Sequence, residues 1–411
     1  MRIVKLTPAV EKRLLRARQE RDAEAERVAS EIVADVRKRG NAALFAWAKK
    51  LDAIDLRRES LWISESEIRA ARRQVTVDFV RAVKHAVCNV RRLAERQLPK
   101  PWTIEVESGV KISQVVRPIE SIGCYIPGGQ FSLVSTLIMT VVPAIVAGVP
   151  KIEVVCPRPN TALLSAAAIL GIKRIARIGG AQAIAALAYG TKSIPRVEKI
   201  FGPGNKYVTA AKQLVSSDCA IDLPAGPTEA IVFCEHGNAR WIAADLLAQA
   251  EHAKDAASLF VTTSRSLARE VQREIQRQLA ALPFGNAHAG AILVAGSLAQ
   301  ACDFVNRYAP EHISLPENTN GLLQKIRSAG TVFLGPWAAQ PLGDYASGSN
   351  HVLPTGGWAR KRGGLSATDF VKCISVQSIT RKGFLRLGHA VETLAESEGL
   401  MAHRSAVRVR R

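Results

Sequence analysis

The stretch Lys151-Ile-Glu-Val-Val-Cys-Pro-Arg-Pro-Asn160-Thr-Ala-Leu-Leu-Ser-Ala-Ala-Ala-Ile-Leu170-Gly-Ile-Lys-Arg-Ile-Ala-Arg-Ile-Gly-Gly180-Ala-Gln-Ala-Ile-Ala-Ala-Leu-Ala-Tyr-Gly190 decides the fold. Residues 151–156 and 174–178 are short stretches carrying Ile and Val side chains, as strands do. Residues 162–170 and 181–189 are longer, small and apolar, and each is closed by a glycine, Gly171 and Gly190. A strand, helix, strand, helix order of this kind requires crossover helices packed on the faces of a parallel sheet.

The alternation extends in both directions. Upstream the alternation begins at Ile122, where Cys124 to Gly129 leads into an apolar helix ending at Gly148; downstream lie a strand at 197–201, a helix at 206–215 and a strand at 219–223. Residues 224–228 read as a boundary, after which the pattern restarts. Strands are predicted at 230–234, 258–262, 291–295, 313–315 and 331–334, with helices at 239–252, 266–281, 298–308 and 321–328. Residues 10–37, 42–51 and 65–98 show helical spacing among many charges, and two strand-like runs follow at 103–106 and 111–116. A long Gly/Pro/Ser/Asn-rich loop covers 335–364, and its His, Asp, Asn and Tyr residues mark it as functional. A short helical tail at 391–397 and a basic end at 408–411 close the chain.

The expected class is therefore α/β: two Rossmann-like parallel-sheet domains with a helical N-terminal region and a small C-terminal tail domain. The expected boundaries are 1–123 for the N-terminal region, leading into and partly completing the first α/β domain, 124–228 for that domain, 229–365 for the second and 366–411 for the tail.

Composition narrows the function. The chain has 411 residues, 47% hydrophobic and 22% charged, as ordinary globular proteins do. Its seven cysteines include no Cys-x-x-Cys pair, which argues against a disulfide framework and against a thiolate zinc site. The longest apolar run, 133–149, is interrupted by Ser135, Thr136, Thr140 and Pro143 and reads as a buried helix rather than a membrane span. With no leader-like N-terminal run, a cytoplasmic protein without a membrane partner is expected. The formal charge of +20 is spread along the chain and interleaved with acids. No nucleic-acid-binding module accompanies it, so no nucleic-acid partner is expected; a positive surface also suits an anionic cofactor. Neither a Gly-x-Ser-x-Gly elbow nor a P-loop is present, which removes those routes to acyl and phosphoryl transfer.

Three glycine-bearing turns stand where a strand gives way to a helix: 126–129 (Ile-Pro-Gly-Gly), 178–182 (Ile-Gly-Gly-Ala-Gln) and 201–207 (Phe-Gly-Pro-Gly-Asn-Lys-Tyr). Small residues there let a phosphate approach the backbone and the free N–H groups of a helix start. None matches the full dinucleotide fingerprint, but three in one sheet point to a ligand crevice. Ala309-Pro310-Glu311-His312 ends an amphipathic run and offers two adjacent bases of different strength. Gln249 and His252 share a helix face, which by spacing alone favours a hydrogen-bonded face; with Asp344 and His403 they would make an amide, carboxylate and imidazole set for an open metal site.

Taken together these stretches resemble the histidinol dehydrogenase family along nearly the whole chain. The resemblance rests on Tyr125-Ile-Pro-Gly-Gly129 with Ser135-Thr136, Gly202-Pro-Gly-Asn-Lys-Tyr207, Ile221-Asp222, Ala225-Gly-Pro-Thr-Glu229, Gln249-Ala-Glu-His252, Ala309-Pro-Glu-His312, residues 343–355 and Glu398-Gly-Leu-Met-Ala-His403. It implies an NAD-dependent dehydrogenase with one zinc ion per active site, oxidising L-histidinol through the aldehyde to L-histidine and consuming two NAD. It further implies Gln249, His252, Asp344 and His403 as zinc ligands, Tyr125, Gln182 and Asn205 as NAD contacts, and Glu311 and His312 as the acid–base pair. Thr228, His351 and Glu398, with the metal ligands and His312, would bind the substrate. The family's homodimer exchanges its C-terminal tails, so Glu398 and His403 would serve the neighbouring subunit. Thr228 departs from the serine common in the family but keeps the hydroxyl, and Gln130 stands at a variable place. Relatives that oxidise other polar alcohols, including sulfonated diols, give the alternative substrate class; the Glu398 and His403 tail favours histidinol.

Overall fold

The computed structural model describes residues 1–18, 22–128, 133–224, 226–251, 256–281, 290–317 and 321–411. The chain opens with β1 (Arg2–Lys5), α1 (Pro8–Ala17), α2 (Ala23–Arg39), α3 (Asn41–Asp52), β2 (Trp62–Ile63), α4 (Glu65–Ala71) and α5 (Val77–Gln97). A hairpin of β3 (Trp102–Glu107) and β4 (Val110–Pro118) leads into the first alternating unit. That unit runs β5 (Ser121–Tyr125), α6 (Val134–Ala147), β6 (Lys151–Val155), α7 (Thr161–Ile169), β7 (Ile175–Ala176), α8 (Gly180–Tyr189), β8 (Lys199–Phe201), α9 (Lys206–Val215) and β9 (Ala220–Ile221). The second runs β10 (Glu229–Phe233), α10 (Ala239–Ala250), β11 (Ala257–Thr262), α11 (Arg265–Leu279), β12 (Gly290–Val294), α12 (Leu298–Tyr308), β13 (His312–Leu315), α13 (Leu322–Lys325) and β14 (Thr331–Leu334). Then come α14 (Gln340–Tyr345), β15 (Val371–Ile379), α15 (Arg381–Ser397) and α16 (Met401–Arg408).

Each unit forms a six-stranded sheet. The first has the order β2-β7-β6-β5-β8-β9, parallel except for β2; the second, β1-β12-β11-β10-β13-β14, is parallel throughout. Helices cover both faces, so the central strands are apolar on both sides, and all five residues of β10 are buried. Side-chain caps set many helix starts: Asn160 bonds Leu163 N–H, Ser264 bonds Leu267 N–H, and Ser64 and Glu67 form a reciprocal capping box.

In the first sheet β5 is flanked by β6 and β8, so the direction of winding reverses between β5 and β8. Ligands of open parallel sheets bind outside the carboxyl ends at such a point. The chain then passes from the carboxyl end of β9 to the amino end of β10 in the short segment 222–228. The carboxyl edge of the first sheet is thereby tied to the amino edge of the second, where Glu229 and His312 begin their strands.

The structure departs from the sequence reading in three places. The predicted helix 10–37 is two helices: Arg18 ends α1 and Asp22 caps α2. Its first part belongs to the second sheet, because β1 pairs with β12 and Leu6, Val10, Leu14 and Leu15 pack in that sheet's core. Only from α2 onward does the N-terminal region serve the first domain. A four-residue strand is too short to show its periodicity. Residues 371–379, expected as plain tail, form β15, which pairs antiparallel with β4 along its full length and makes a third sheet with β3. The loop 335–364 contains the short helix α14, begun by Gln340-Pro341. Among the described residues no helix is long and apolar enough to cross a membrane.

Candidate active site

Helix α12 stops at Ala309, whose φ of 49° places a non-glycine residue in the left-handed region, and its N–H still bonds the Val305 carbonyl. Pro310 cannot continue a helix, and β13 starts at His312. This turn delivers Glu311 and His312 to the amino edge of the second sheet with both side chains buried, at 6% and 4% exposure. The Glu311 carbonyl accepts from Thr331 N–H at 2.9 Å, and Gly330 packs so closely that a Cβ there would lie 2.5 Å from that oxygen.

Glu311 Oε2 accepts from the Glu229 backbone N–H at 3.0 Å and lies 3.9 Å from His312 Nδ1. Burial dominates its environment and lifts the carboxyl pKa to about 7, with His312 and the Glu229 N–H only partly opposing. His312 Nε2 lies 3.4 Å from Asp344 Oδ1. Burial works against the imidazolium, yet the charges of Glu311 and Asp344 outweigh it and raise the His312 pKa above its ordinary value. Among the described residues, the buried His312 Nδ1 has no hydrogen-bond partner. Two adjacent bases, both raised above their ordinary strength, thus sit in a site shielded from water.

His351 connects this centre to the first sheet. Its Nδ1 donates to the Asp344 carbonyl at 2.9 Å; a carbonyl can only accept, so in the neutral ring Nε2 accepts from the Thr136 hydroxyl, at 3.3 Å. Thr136 lies in the first turn of α6, just beyond the carboxyl end of β5. Thr228 immediately precedes β10, and its carbonyl accepts from Ala257 N–H at 2.8 Å.

Of the four residues predicted to bind metal, Gln249 is 2% exposed and its amide nitrogen has no partner among the described residues, so a buried amide stands in the last turn of α10. The Asp245 carboxylate, one turn earlier in α10, accepts from the Gln340 backbone N–H. Gln340 is one turn before Asp344 in α14, so this hydrogen bond ties α10 to the helix that carries Asp344. His252 lies outside the described residues. His403 is on exposed α16, and Glu398, also exposed, ends α15. Among the described residues of one chain, no three of His, Cys, Asp and Glu come close enough to hold a metal ion. The amide, carboxylate and imidazole chemistry of the set suits zinc.

At the carboxyl edge of the first sheet, the three predicted glycine turns meet. A Cβ on Gly128 would overlap Pro157, and one on Gly179 would lie 2.6 Å from the same ring. Gly202, at φ 118°, passes so near β5 that a Cβ would overlap the Tyr125 carbonyl. Helix α8 begins without a side-chain cap; the Gly180 N–H donates instead to the Tyr125 hydroxyl at 3.2 Å. Gln182, fully buried, donates to Asp52 Oδ2 at 2.9 Å, and its Oε1 has no partner among the described residues. Asn205 caps α9, accepting from Tyr207 and Val208 N–H, both at 3.1 Å. The Gly202 turn is pinned by a buried ion pair: Lys212 binds Asp222 and donates to the Gly202 carbonyl at 2.9 Å, while Asp222 accepts from Gly202 N–H at 2.8 Å. An open helix start, glycine at every close approach and a buried unpartnered amide oxygen fit a dinucleotide at this edge.

The sequence reading left Arg18, Asp52, Thr136 and Glu229 without roles. Glu229 and Thr136 fall inside the quoted motifs, but a buried ion pair across more than two hundred positions has no periodic signature. Arg18 lay hidden in a charged helical run.

The model of the histidinol dehydrogenase family matches residues 15–411. Histidinol dehydrogenase of Halalkalibacterium halodurans is 44% identical over 392 residues, covering 92% of each chain. That of Methanosarcina mazei is 41% identical over 398 residues, covering 93% of this chain and 90% of its own. A crystal structure of histidinol dehydrogenase from Elizabethkingia anophelis superposes with a TM-score of 0.93 at 37% identity, covering 100% of this chain and 98% of the other.

Proposed function

Because the chain belongs to the histidinol dehydrogenase family, we propose that it oxidises L-histidinol through L-histidinaldehyde to L-histidine, consuming two NAD, with Glu311 and His312 as the acid–base pair and one zinc ion per site. The observation that carries this reading is the buried Glu311–His312 pair, two adjacent bases of adjusted strength at the amino edge of the second sheet.

Gln249, His252 and Asp344 would hold zinc together with His403 of a second chain, and Tyr125, Gln182 and Asn205 would contact NAD. When bound, NAD supplies the hydride acceptor and zinc orients the imidazole and amine of the substrate. The protein's own groups do the proton work. His312 takes the hydroxyl proton as hydride leaves the alcohol carbon, and Asp344, 3.4 Å away, stabilises the resulting imidazolium. Water must then add to the aldehyde before a second hydride can leave. Glu311, with a pKa of about 7, takes a proton from that water. Thr228, His351 and Glu398 would hold the polar groups of the substrate, and burial of the pair keeps the aldehyde from bulk solvent between steps.

The tail supports a homodimer with exchanged arms. Among the described residues, α15 and α16 form hydrogen bonds and ion pairs with each other but none with either six-stranded sheet unit. Their exposed side chains include Leu385, Leu394 and Met401, Val409 after α16 is exposed too, and the adjoining strands expose Trp102, Ile104, Ile374 and Val376. An arm so apolar and so little engaged with its own body is built to lie on a neighbour, bringing Glu398 and His403 to the neighbour's site.

Removing metal with a chelator and restoring zinc, while following NADH formation with L-histidinol and a panel of other polar alcohols, tests this reading. Zinc-dependent turnover with histidinol is expected. Turnover confined to another alcohol would move the substrate assignment, and no turnover by folded, zinc-loaded protein would end it.

A further inference from the structure

Arg18, at the end of α1, reaches across the second sheet unit to the catalytic turn. Its Nε donates to Glu229 Oε1 at 2.6 Å, and Nη2 completes a bidentate pair with Oε2. Nη1 donates to the Tyr308 carbonyl, Nη2 lies 3.4 Å from the Ala309 carbonyl, and the guanidinium stacks 3.6 Å above the Tyr308 ring. Both charged side chains are nearly buried, at 8% and 4% exposure.

These contacts converge on the two structures that aim Glu311. The Tyr308 and Ala309 carbonyls belong to the end of α12, where unpaired acceptors and the negative end of the helix dipole favour a cation. By holding them, Arg18 secures the left-handed exit at Ala309, two residues before Glu311. Glu229, whose side chain Arg18 grips and whose Oε1 also accepts from Gly356 N–H at 3.2 Å, offers its backbone N–H to Glu311 Oε2. One guanidinium therefore fixes the chain on one side of Glu311 and its hydrogen-bond donor on the other. A buried ion pair is expensive to desolvate and is weak evidence of stabilisation, whereas its use in fixing one geometry is well attested. Only a planar fork can make the bidentate pair, bond the carbonyls and stack at once; a lysine ammonium cannot.

We propose that Arg18 is a positioning residue for Glu311, acting through Glu229 and the Tyr308–Ala309 turn. The proposal rests on the reading of Glu311 as a catalytic base. In the zinc-loaded enzyme, Arg18→Ala is expected to lower kcat with histidinol by about 100-fold while KM stays within about threefold, since displacement of a reacting group by an ångström costs on that order. Millimolar guanidinium should restore part of the lost kcat, as a filled cavity would and a merely destabilised fold would not. If Arg18→Ala does not fold, Arg18→Lys is read the same way, with the loss again in kcat. A kcat within twofold of wild type in a folded variant would overturn the proposal, as would a loss that guanidinium does not recover and that follows thermal unfolding. If the wild-type enzyme does not oxidise histidinol, the functional reading falls by itself. Amide exchange then decides the Arg18 link: Arg18→Ala should speed exchange at Glu229 and across 305–315 while leaving the first sheet unchanged, and unchanged exchange at Glu229 would overturn it.

Discussion

His312 Nε2 lies 3.4 Å from Asp344 Oδ1, and the Asp344 backbone carbonyl accepts from His351 Nδ1, so a single helix-α14 residue orients two imidazoles. Strand β13 of the second sheet, the loop after that sheet and the first turn of α6 are linked through Asp344. Loss of the His312 imidazole should therefore remove the base without dismantling the centre. His312→Asn is expected to lower turnover by about 100-fold or more while zinc content, read by atomic absorption, stays near one per site. Unchanged turnover would remove His312 from the mechanism.

Glu311 carries a pH signature in stability. Its folded-state pKa of about 7 stands above the ordinary glutamate value of 4.5, so the folded protein binds this proton more tightly than the unfolded chain. Stability is accordingly lost as pH rises from about 4.5 through about 7. Glu311→Gln keeps an oxygen for the Glu229 N–H and removes that loss. Relative to wild type, the variant should gain up to about 3 kcal/mol at pH 8 compared with acid pH, since each pH unit between the unfolded and folded pKa is worth about 1.4 kcal/mol. Denaturant unfolding at pH 5 and pH 8 measures it; an equal difference at both would show that the folded carboxyl titrates as it does in the unfolded chain.

The Gly202 turn depends on a charge pair with almost no solvent contact, Lys212 at 3% and Asp222 at 0% side-chain exposure. Lys212→Met strands the Asp222 charge and leaves the Gly202 carbonyl without its donor. A loss of about 3–5 kcal/mol is expected in denaturant unfolding, because the remaining buried charge is uncompensated. Adding Asp222→Asn should recover part of it, and a Lys212→Met loss below about 1 kcal/mol would contradict this role for the pair.

Arm exchange gives a complementation pattern. In a heterodimer of Glu311→Gln with His403→Ala, exchanged tails place both lesions in one site and neither in the other. About half of wild-type activity per mixed dimer is expected. With unexchanged tails every site carries a lesion, and verified heterodimers would stay inactive.

Much of this architecture was legible because parallel sheets write themselves in buried apolar runs closed by glycine. The 151–190 stretch maps onto β6, α7, β7 and α8 within a residue or two at most ends. Glycine positions were equally readable: the turns at Gly128, Gly179 and Gly202 are places where a Cβ meets another chain segment. What escaped depends on tertiary pairing. The four residues of β1 become a strand only by lying against β12, and 371–379 shows its role only beside β4. Arg18 and Glu229 meet across the chain, and no local pattern in a charged helix distinguishes an arginine bound for the core from one left in water. Asn205 illustrates a mixed case: its place in the glycine turn suggested ligand contact, and its side chain caps α9.

The most direct test of the central claim is the number of NADH formed per L-histidinol consumed by zinc-loaded enzyme at completion. An alcohol carried to a carboxylate gives up two hydrides, so the expected ratio is two, with little free aldehyde trapped by a carbonyl reagent. A ratio of one with aldehyde accumulating in solution would contradict the account, because Glu311 would then not be activating water for the second oxidation.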